Sequence, residues 1–125
     1  MTTTQSKFVS TYNRGLQMTF ENGLTISIQF GTGNYCERKN FNASHDDELK
    51  EPLITSGTAE IAIWHKASDT WFQFESDQVK GWMRPDEVAE WISYIKHARD
   101  LDHLRTLAVV AGLLEISPDE LEDSL

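Results

Sequence analysis

The chain has 125 residues, 39% of them apolar, including four Trp, three Tyr and six Phe. That length and aromatic content suit one ordinary domain with its own core and exclude a disordered chain. Eleven basic residues against twenty acidic ones give a net charge of −9, so the field of the whole protein repels phosphate, and DNA, RNA and anionic membranes are not expected partners.

Cys36 is the one cysteine; it has no partner for an internal disulfide and suits a reducing compartment. The start, Met1 to Lys7, is polar and lacks the apolar stretch of a signal peptide. The longest apolar run, Leu107 to Leu114, is too short to span a bilayer. A soluble, cytoplasmic protein is expected, with residues 1–10 as a flexible N-terminus.

Leu16, Met18 and Phe20 alternate with polar residues, as do Leu24, Ile26, Ile28 and Phe30, which predicts a β-hairpin. A two-residue Asn22-Gly23 turn would pair Phe20 with Thr25 and put the two apolar sets on opposite faces. A three-residue loop pairs Phe20 with Leu24 and Met18 with Ile26 on one face, with Gly23 left-handed as a bulge. The plainer alternative keeps the two-residue turn and buries both faces.

Gly31 to Cys36 reads as a bend returning to a short strand, and 37–52 as an exposed loop ending at Pro52. Thr58 to Trp64 is a second strong strand, with Ala59, Ile61 and Ile63 on one face. A polar connection joins it to Trp71-Phe72-Gln73-Phe74 as a second hairpin, and Val79 to Met83 closes an antiparallel meander.

A helix starts at Arg84-Pro85-Asp86-Glu87, where proline suits the first helical position and the carboxylates suit the positive end of the dipole. Val88, Trp91, Ile92, Ile95 and Ala98 form its buried stripe. Asp100 or Asp102 caps a second helix running to about Glu115; with no Gly or Pro between the two, one continuous helix stays open. Ser117-Pro118-Asp119-Glu120 is a capping box for a short last helix. The expected class is therefore α+β in a single domain, 1–125. An antiparallel β-meander of two hairpins plus a short strand fills 11–83, and two main helices and a short terminal helix fill 84–125.

Leu107 to Leu114 is apolar all round, a pattern that calls for burial on every side, and Ala108, Ala111 and Gly112 admit a close backbone. A homo-oligomer formed through the C-terminal helices is one reading, and burial within one chain the other.

None of His45, His65, His97 and His103 has zinc-type spacing with cysteine, and no HExxH, GxSxG, P-loop or dinucleotide fingerprint occurs. His97, Asp100 and His103 would share a face of a continuous helix; as solvated surface residues they need no metal, and no metal or cofactor is expected. Gly31-x-Gly33-Asn34 lacks the following helix that a phosphate-cradling turn requires. Carboxylates are plentiful but unpaired for acid–base work, so an enzyme is not expected.

Binding chemistry is better represented. Trp82, Trp91, Arg84, Arg99 and Arg105, with Tyr94, fall around the strand-to-helix junction and the helices. Indole faces and guanidinium groups suit stacking on bases and pairing with phosphates. The plainer reading places Trp91 in the core and lets the arginines balance local acids.

The stretch Tyr12-Asn13-Arg14-Gly15-Leu16-Gln17-Met18-Thr19-Phe20-Glu21-Asn22-Gly23, continuing through Gln29-Phe30-Gly31 to Gly33-Asn34-Tyr35-Cys36, resembles a family of small proteins encoded by bacteriophages and prophages. The likeness runs through TAEIAIW and the Arg84-Pro85-Asp86-Glu87-Val88 helix start, over about residues 8 to 95. In architecture the chain is also similar to phage anti-Thoeris sponges, which join a β-rich part to C-terminal helices and assemble as oligomers. That resemblance implies non-enzymatic sequestration of a cyclic nucleotide immune signal, either a cyclic ADP-ribose isomer or a cyclic oligonucleotide. The adenine would be held between an aromatic side chain and an arginine. Arg14, Asn34 and Tyr35, from the phage-like stretch, join Trp82, Arg84, Trp91, Arg99 and Arg105 as candidate ligand-binding residues. The competing expectation, motivated by the acidity, is an inhibitor that binds a host defence protein.

Overall fold

The computed structural model describes residues 6–40, 50–51, 53–75 and 77–115. Among the described residues it is an α+β fold: a six-stranded antiparallel sheet followed by two helices. The strands are β1 (Lys7–Ser10), β2 (Gly15–Thr19), β3 (Leu24–Gln29), β4 (Ala59–His65), β5 (Thr70–Trp71) and β6 (Val79–Met83); the helices are α1 (Pro85–His97) and α2 (Leu101–Val110).

Residues 7–10 were expected to be flexible and instead form an edge strand, pairing Phe8 with Met18 and Ser10 with Leu16. The Thr11–Gly15 connection makes this possible: the Thr11 N–H donates to the Gly15 carbonyl at 3.0 Å and the Arg14 N–H to the Thr11 carbonyl at 3.2 Å. The β2–β3 hairpin has the three-residue loop that keeps its apolar side chains on one face. Met18 lies opposite Ile26, the Phe20 N–H donates to the Leu24 carbonyl at 2.9 Å, and Gly23 has φ +88°. A side chain with a Cβ would be strained there.

Asn22 fastens that turn to the helices. Its Oδ1 accepts from the Leu24 N–H at 3.0 Å, while its Nδ2 donates to the carbonyls of Ile95 and Ala98, both at 2.8 Å. Those carbonyls belong to the C-terminal end of α1, where intrahelical donors run out; the Ile95 carbonyl also accepts the Ala98 N–H at 3.2 Å.

β4 is the central strand. β3 lies along one edge, pairing Ile26 with Ile63 and Ile28 with Ile61. β5 and β6 share the other edge, β5 at its Trp64–His65 end and β6 at its Ala59–Ala62 end. No strand forms among residues 31–40, where a bend returning to a short strand was expected; turns and bends fill the segment. Phe72 and Phe74, expected within the second hairpin's strand, lie past the two-residue β5 and turn into the core.

There they meet each other and Trp91 edge-on, with ring centroids 5.1–5.8 Å apart and interplanar angles of 69–77°. Each such pair adds about 0.5–1.5 kcal/mol beyond its burial. Leu24, Ile26, Ile61 and Ile63 from the sheet and Val88, Ile95, Leu104 and Ala108 from the helices complete the core.

The two helices are separate. Ala98 is extended (φ −75°, ψ 145°), and the Asp100 carboxylate accepts from the His103 N–H at 2.8 Å as the N-cap of α2. The shared face of His97, Asp100 and His103 therefore does not form; His103 Nδ1 accepts the Arg99 N–H at 3.0 Å.

α2 stops at Val110 rather than running to about Glu115. Gly112 has φ +77°, the Gly112 N–H donates to the Val109 carbonyl at 3.1 Å, and the Leu113 N–H to the Ala108 carbonyl at 2.9 Å. This is a Schellman reversal, with Gly112 in the left-handed position that glycine takes without a Cβ penalty. It returns Leu114 to the core. The apolar stretch 107–114 is thus a helix end plus a reversal, not a helix buried on every side, and Ala108 faces the chain's own core. The expected helix at Ser117 lies outside the described residues. Among the described residues no helix is long and apolar enough to cross a membrane.

Candidate ligand-binding site

Near its end, β6 carries one extra residue. Ala59 is opposite Met83 but Ile61 is opposite Lys80, so Gly81 and Trp82 face a single residue of β4. This bulge puts Trp82 at φ +56°, a left-handed conformation that is a genuine outlier for a bulky side chain. The Trp82 N–H donates to the Tyr35 carbonyl at 2.7 Å, and any Cβ at Gly81 would collide with Tyr35. The result is two aromatic residues from distant parts of the sequence held side by side through their backbones. Trp82 is 54% exposed and Tyr35 45%.

Cations flank them. The Lys39 ammonium stands 5.6 Å from the centroid of the Tyr35 ring. Arg84, the N-cap residue of α1, is exposed and lies 3.2 Å from the Glu87 carboxylate, which also accepts the Arg84 N–H at 3.0 Å. The Arg84 N–H, and then its guanidinium, hold the Glu87 carboxyl below its usual range.

Arg14 and Asn34 support the loop that presents Tyr35. Arg14 lies against Gly31, donates from its guanidinium to the Thr32 carbonyl, and accepts the Phe30 N–H at 2.9 Å through its own carbonyl. Asn34 Nδ2 donates to the Gly31 carbonyl at 3.3 Å, and the Tyr35 N–H donates to the Glu60 carboxylate at 2.9 Å. The buried Cys36 thiol points at the same Gly31 carbonyl, 3.7 Å away. Arg14 and residues 31–36 therefore build a turn whose exposed product is Tyr35.

Five of the eight candidate residues meet at this end of the sheet: Arg14, Asn34, Tyr35, Trp82 and Arg84. Trp91 does not. It is 1% exposed inside the aromatic core, because the helical spacing that places Val88 and Ile95 inward places it inward too. Arg99 lies beyond the C-terminal end of α1, beside the Asn22 turn at the opposite end of the sheet. Six residues of β3 separate the ends, about 20 Å at 3.3–3.4 Å per residue, so Arg99 does not join Trp82. Arg105 is half-buried on α2, which starts from that far end.

A pocket of about 430 Å³ adjoins the Trp82 end. Met83 and Pro85, on either side of Arg84, line it together with Ile28, Phe30, Ile54, Val88 and Ile92. Residues 55–58 form a polar rim, fixed from outside: Thr58 Oγ1 accepts the Glu37 N–H at 2.9 Å, the Glu37 carboxylate accepts the Gly57 N–H, and Arg38 donates to the Thr55 carbonyl at 3.3 Å. Concave, apolar and within the usual range of ligand pockets, it is a slot for a flat or aliphatic group. Among the described residues no ionisable side chain lines it, and no three His, Cys, Asp or Glu side chains converge.

Sequence reasoning did not anticipate this pocket. Its only local trace was Ile54, an apolar residue in a polar loop, and Ile92, at the margin of the helix stripe. No family model matches the chain, and no curated protein or solved structure is significantly similar to it.

Proposed function

We propose that this protein is a non-enzymatic binding protein that sequesters a nucleotide-class ligand at the Trp82 end of the sheet. The observation that carries this reading is Trp82 itself. A bulky aromatic is held at positive φ, at a cost of about 1–3 kcal/mol, with more than half its surface in water. Packing does not account for that cost; presentation of an indole face does. Tyr35, Lys39 and Arg84 supply a second ring and positive charge beside it, and the pocket behind Met83 supplies an apolar slot.

This combination matches what a base and a phosphate ask of a protein. It also brings cations together locally in a chain of net charge −9. In this proposal the protein is a phage-type anti-defence sponge acting in the host cytoplasm. Its ligand is a cyclic ADP-ribose isomer or a cyclic oligonucleotide, held without cleavage.

The test is incubation with a panel of both ligand classes, followed by heat denaturation and recovery of the ligand. A raised melting temperature with ligand returned intact supports the proposal. No shift across the panel contradicts its binding half; turnover of any member contradicts its non-enzymatic half.

The alternative, an acidic inhibitor of a host protein, draws its support from β1. This edge strand leaves Phe8 and the adjoining Tyr12 exposed, as a partner strand would require. That reading predicts salt-sensitive capture of a basic host protein, unchanged by substitution of Trp82. Self-association through α2 belongs to the proposal in a reduced form, since of the apolar stretch only Val110 to Gly112 remains exposed.

A further inference from the structure

β1 is the terminal strand of the sheet: among the described residues it pairs with β2 alone, and all four of its residues are exposed. The turn that follows sets its phase. The Thr11 N–H bonds the Gly15 carbonyl, and in an antiparallel ladder the hydrogen-bonded pairs recur at every second residue. Val9 with Gln17 and Lys7 with Thr19 are therefore the bonded pairs. The N–H and C=O groups of Phe8 and Ser10 point away from β2, out of the sheet edge.

The opposite edge offers no such row. β5 is two residues long and β6 carries the bulge at Gly81 and Trp82, two devices that blunt a sheet edge. β1 keeps an unbroken register and presents Phe8, 75% exposed, with Tyr12, 82% exposed, just past its end. Phe8 lies opposite Met18, which packs against the core, so it is on the helix side; Lys7, one residue earlier, is on the other face. A cleft of about 540 Å³ adjoins the edge. Phe8, Met18 and Phe20 line it, and Lys7, Lys96 and Glu21 are its charged residues among those described.

Charge selects the partner. Residues 1–20 include Lys7 and Arg14 and no acidic residue; all twenty acidic residues lie beyond them. At physiological ionic strength distant charges are screened over about 8 Å, so an approaching strand meets Lys7 and the cleft rather than the net charge. A second copy of β1 brings the same cationic edge. A strand with an acidic residue across from Lys7 and an apolar one across from Phe8 complements both faces.

We propose that β1 accepts an extended partner segment of alternating acidic and apolar residues, added antiparallel as a further strand of the sheet. The main chain of Phe8 and Ser10 bonds the segment, its apolar side chains lie beside Phe8 and the cleft, and its carboxylates face Lys7. For this edge the partner is thus acidic, opposite to the basic host protein of the alternative reading. Four strand spacings, about 20 Å, separate it from Trp82, so it is independent of the ligand site there.

The test uses the full chain and a capped, fluorescein-labelled octapeptide of alternating glutamate and valine, read by fluorescence anisotropy. A second peptide has lysine for each glutamate. A third is N-methylated at its valines, the residues across from Phe8 and Ser10, and cannot donate to the edge. The proposal expects saturable binding of the first peptide, at least about tenfold weaker for the other two. In NMR spectra the amides of Phe8 and Ser10 move while the Trp82 indole N–H stays in place. Lys7→Glu should abolish the preference for glutamate. Ser10→Pro removes an outward N–H that β2 does not use and should weaken binding about tenfold; its melting temperature checks that the fold is kept. Equal affinity for the two charges, undiminished binding of the N-methylated peptide, or no binding of the first peptide overturns the proposal. Self-association of the chain that Ser10→Pro abolishes gives the edge to a second copy and overturns it as well.

Discussion

Trp82 and Trp91 carry the same side chain nine residues apart and have opposite roles. Trp91→Ala removes the ring against which Phe72 and Phe74 pack, and should cost about 3–5 kcal/mol in urea unfolding. Its effect on ligand binding should follow only from that lost stability. Trp82→Gly relieves a left-handed conformation that costs about 1–3 kcal/mol, against the loss of a half-exposed indole. Its stability should stay within about 1 kcal/mol of the parent, while affinity for the ligand falls at least about tenfold. A large loss of stability in Trp82→Gly would make that residue structural and remove the main support for the proposed function. Gly112 isolates backbone cost from packing, because a Cβ there meets nothing within 4 Å. Gly112→Ala should therefore destabilise by about 1 kcal/mol through its φ alone, read as a shifted urea midpoint with an unchanged slope.

At the scale of elements, strands were legible wherever one face is buried, because alternation fixes both their existence and their register. Leu16–Phe20 against Leu24–Phe30 specified even the three-residue loop. β1 was not legible: all four of its residues are exposed, so no alternating burial pattern betrays it, and the turn at Tyr12–Asn13 that returns the chain rests on a positive φ at Tyr12. The end of α2 was written in the sequence as Gly112, and was misread because flanking leucines on both sides imitate a continuous apolar helix. Caps and turns now carry predictions of their own. Asn22→Ala removes the side-chain donor to the Ile95 and Ala98 carbonyls, of which Ile95 keeps the Ala98 N–H, and should cost about 1–3 kcal/mol, loosening the helix ends before the sheet in hydrogen exchange. Glu87 has a carboxyl pKa depressed from 4.5 by the Arg84 N–H and then its guanidinium. Its stabilising contribution is therefore present above pH 4.5 and is lost as pH falls through the depressed value. Glu87→Gln should lower stability by under about 1 kcal/mol at pH 7, and the difference from the parent should shrink as acid protonates the Glu87 carboxyl.

For the whole molecule, the candidate site was half legible. Local chemistry picks out Trp82 and Arg84, and Tyr35 stands in a separate stretch of sequence, so only the fold joins residue 35 to residue 82. The same fold removes Arg99 by the length of a strand and Trp91 into the core. Nothing local marks the pocket beside Met83, because its walls come from β3, the 54–58 segment and α1. The C-terminal seam offered for a second copy is largely consumed within one chain; a self-contact surviving at Val110 predicts that light scattering gives a mass above 14.3 kDa, and that Val110→Asp returns it to that value.

The central claim is that an indole is presented, at a conformational cost, to bind a ring. The indole N–H resonances of the four tryptophans test it most directly, followed by NMR while the cyclic ADP-ribose isomers and cyclic oligonucleotides are titrated in. The account predicts that one member of the panel moves the Trp82 resonance saturably, with the amides of 33–36, and leaves Trp91 in place. A panel that leaves Trp82 unmoved, or that shifts only Trp64 and Trp71, would contradict it.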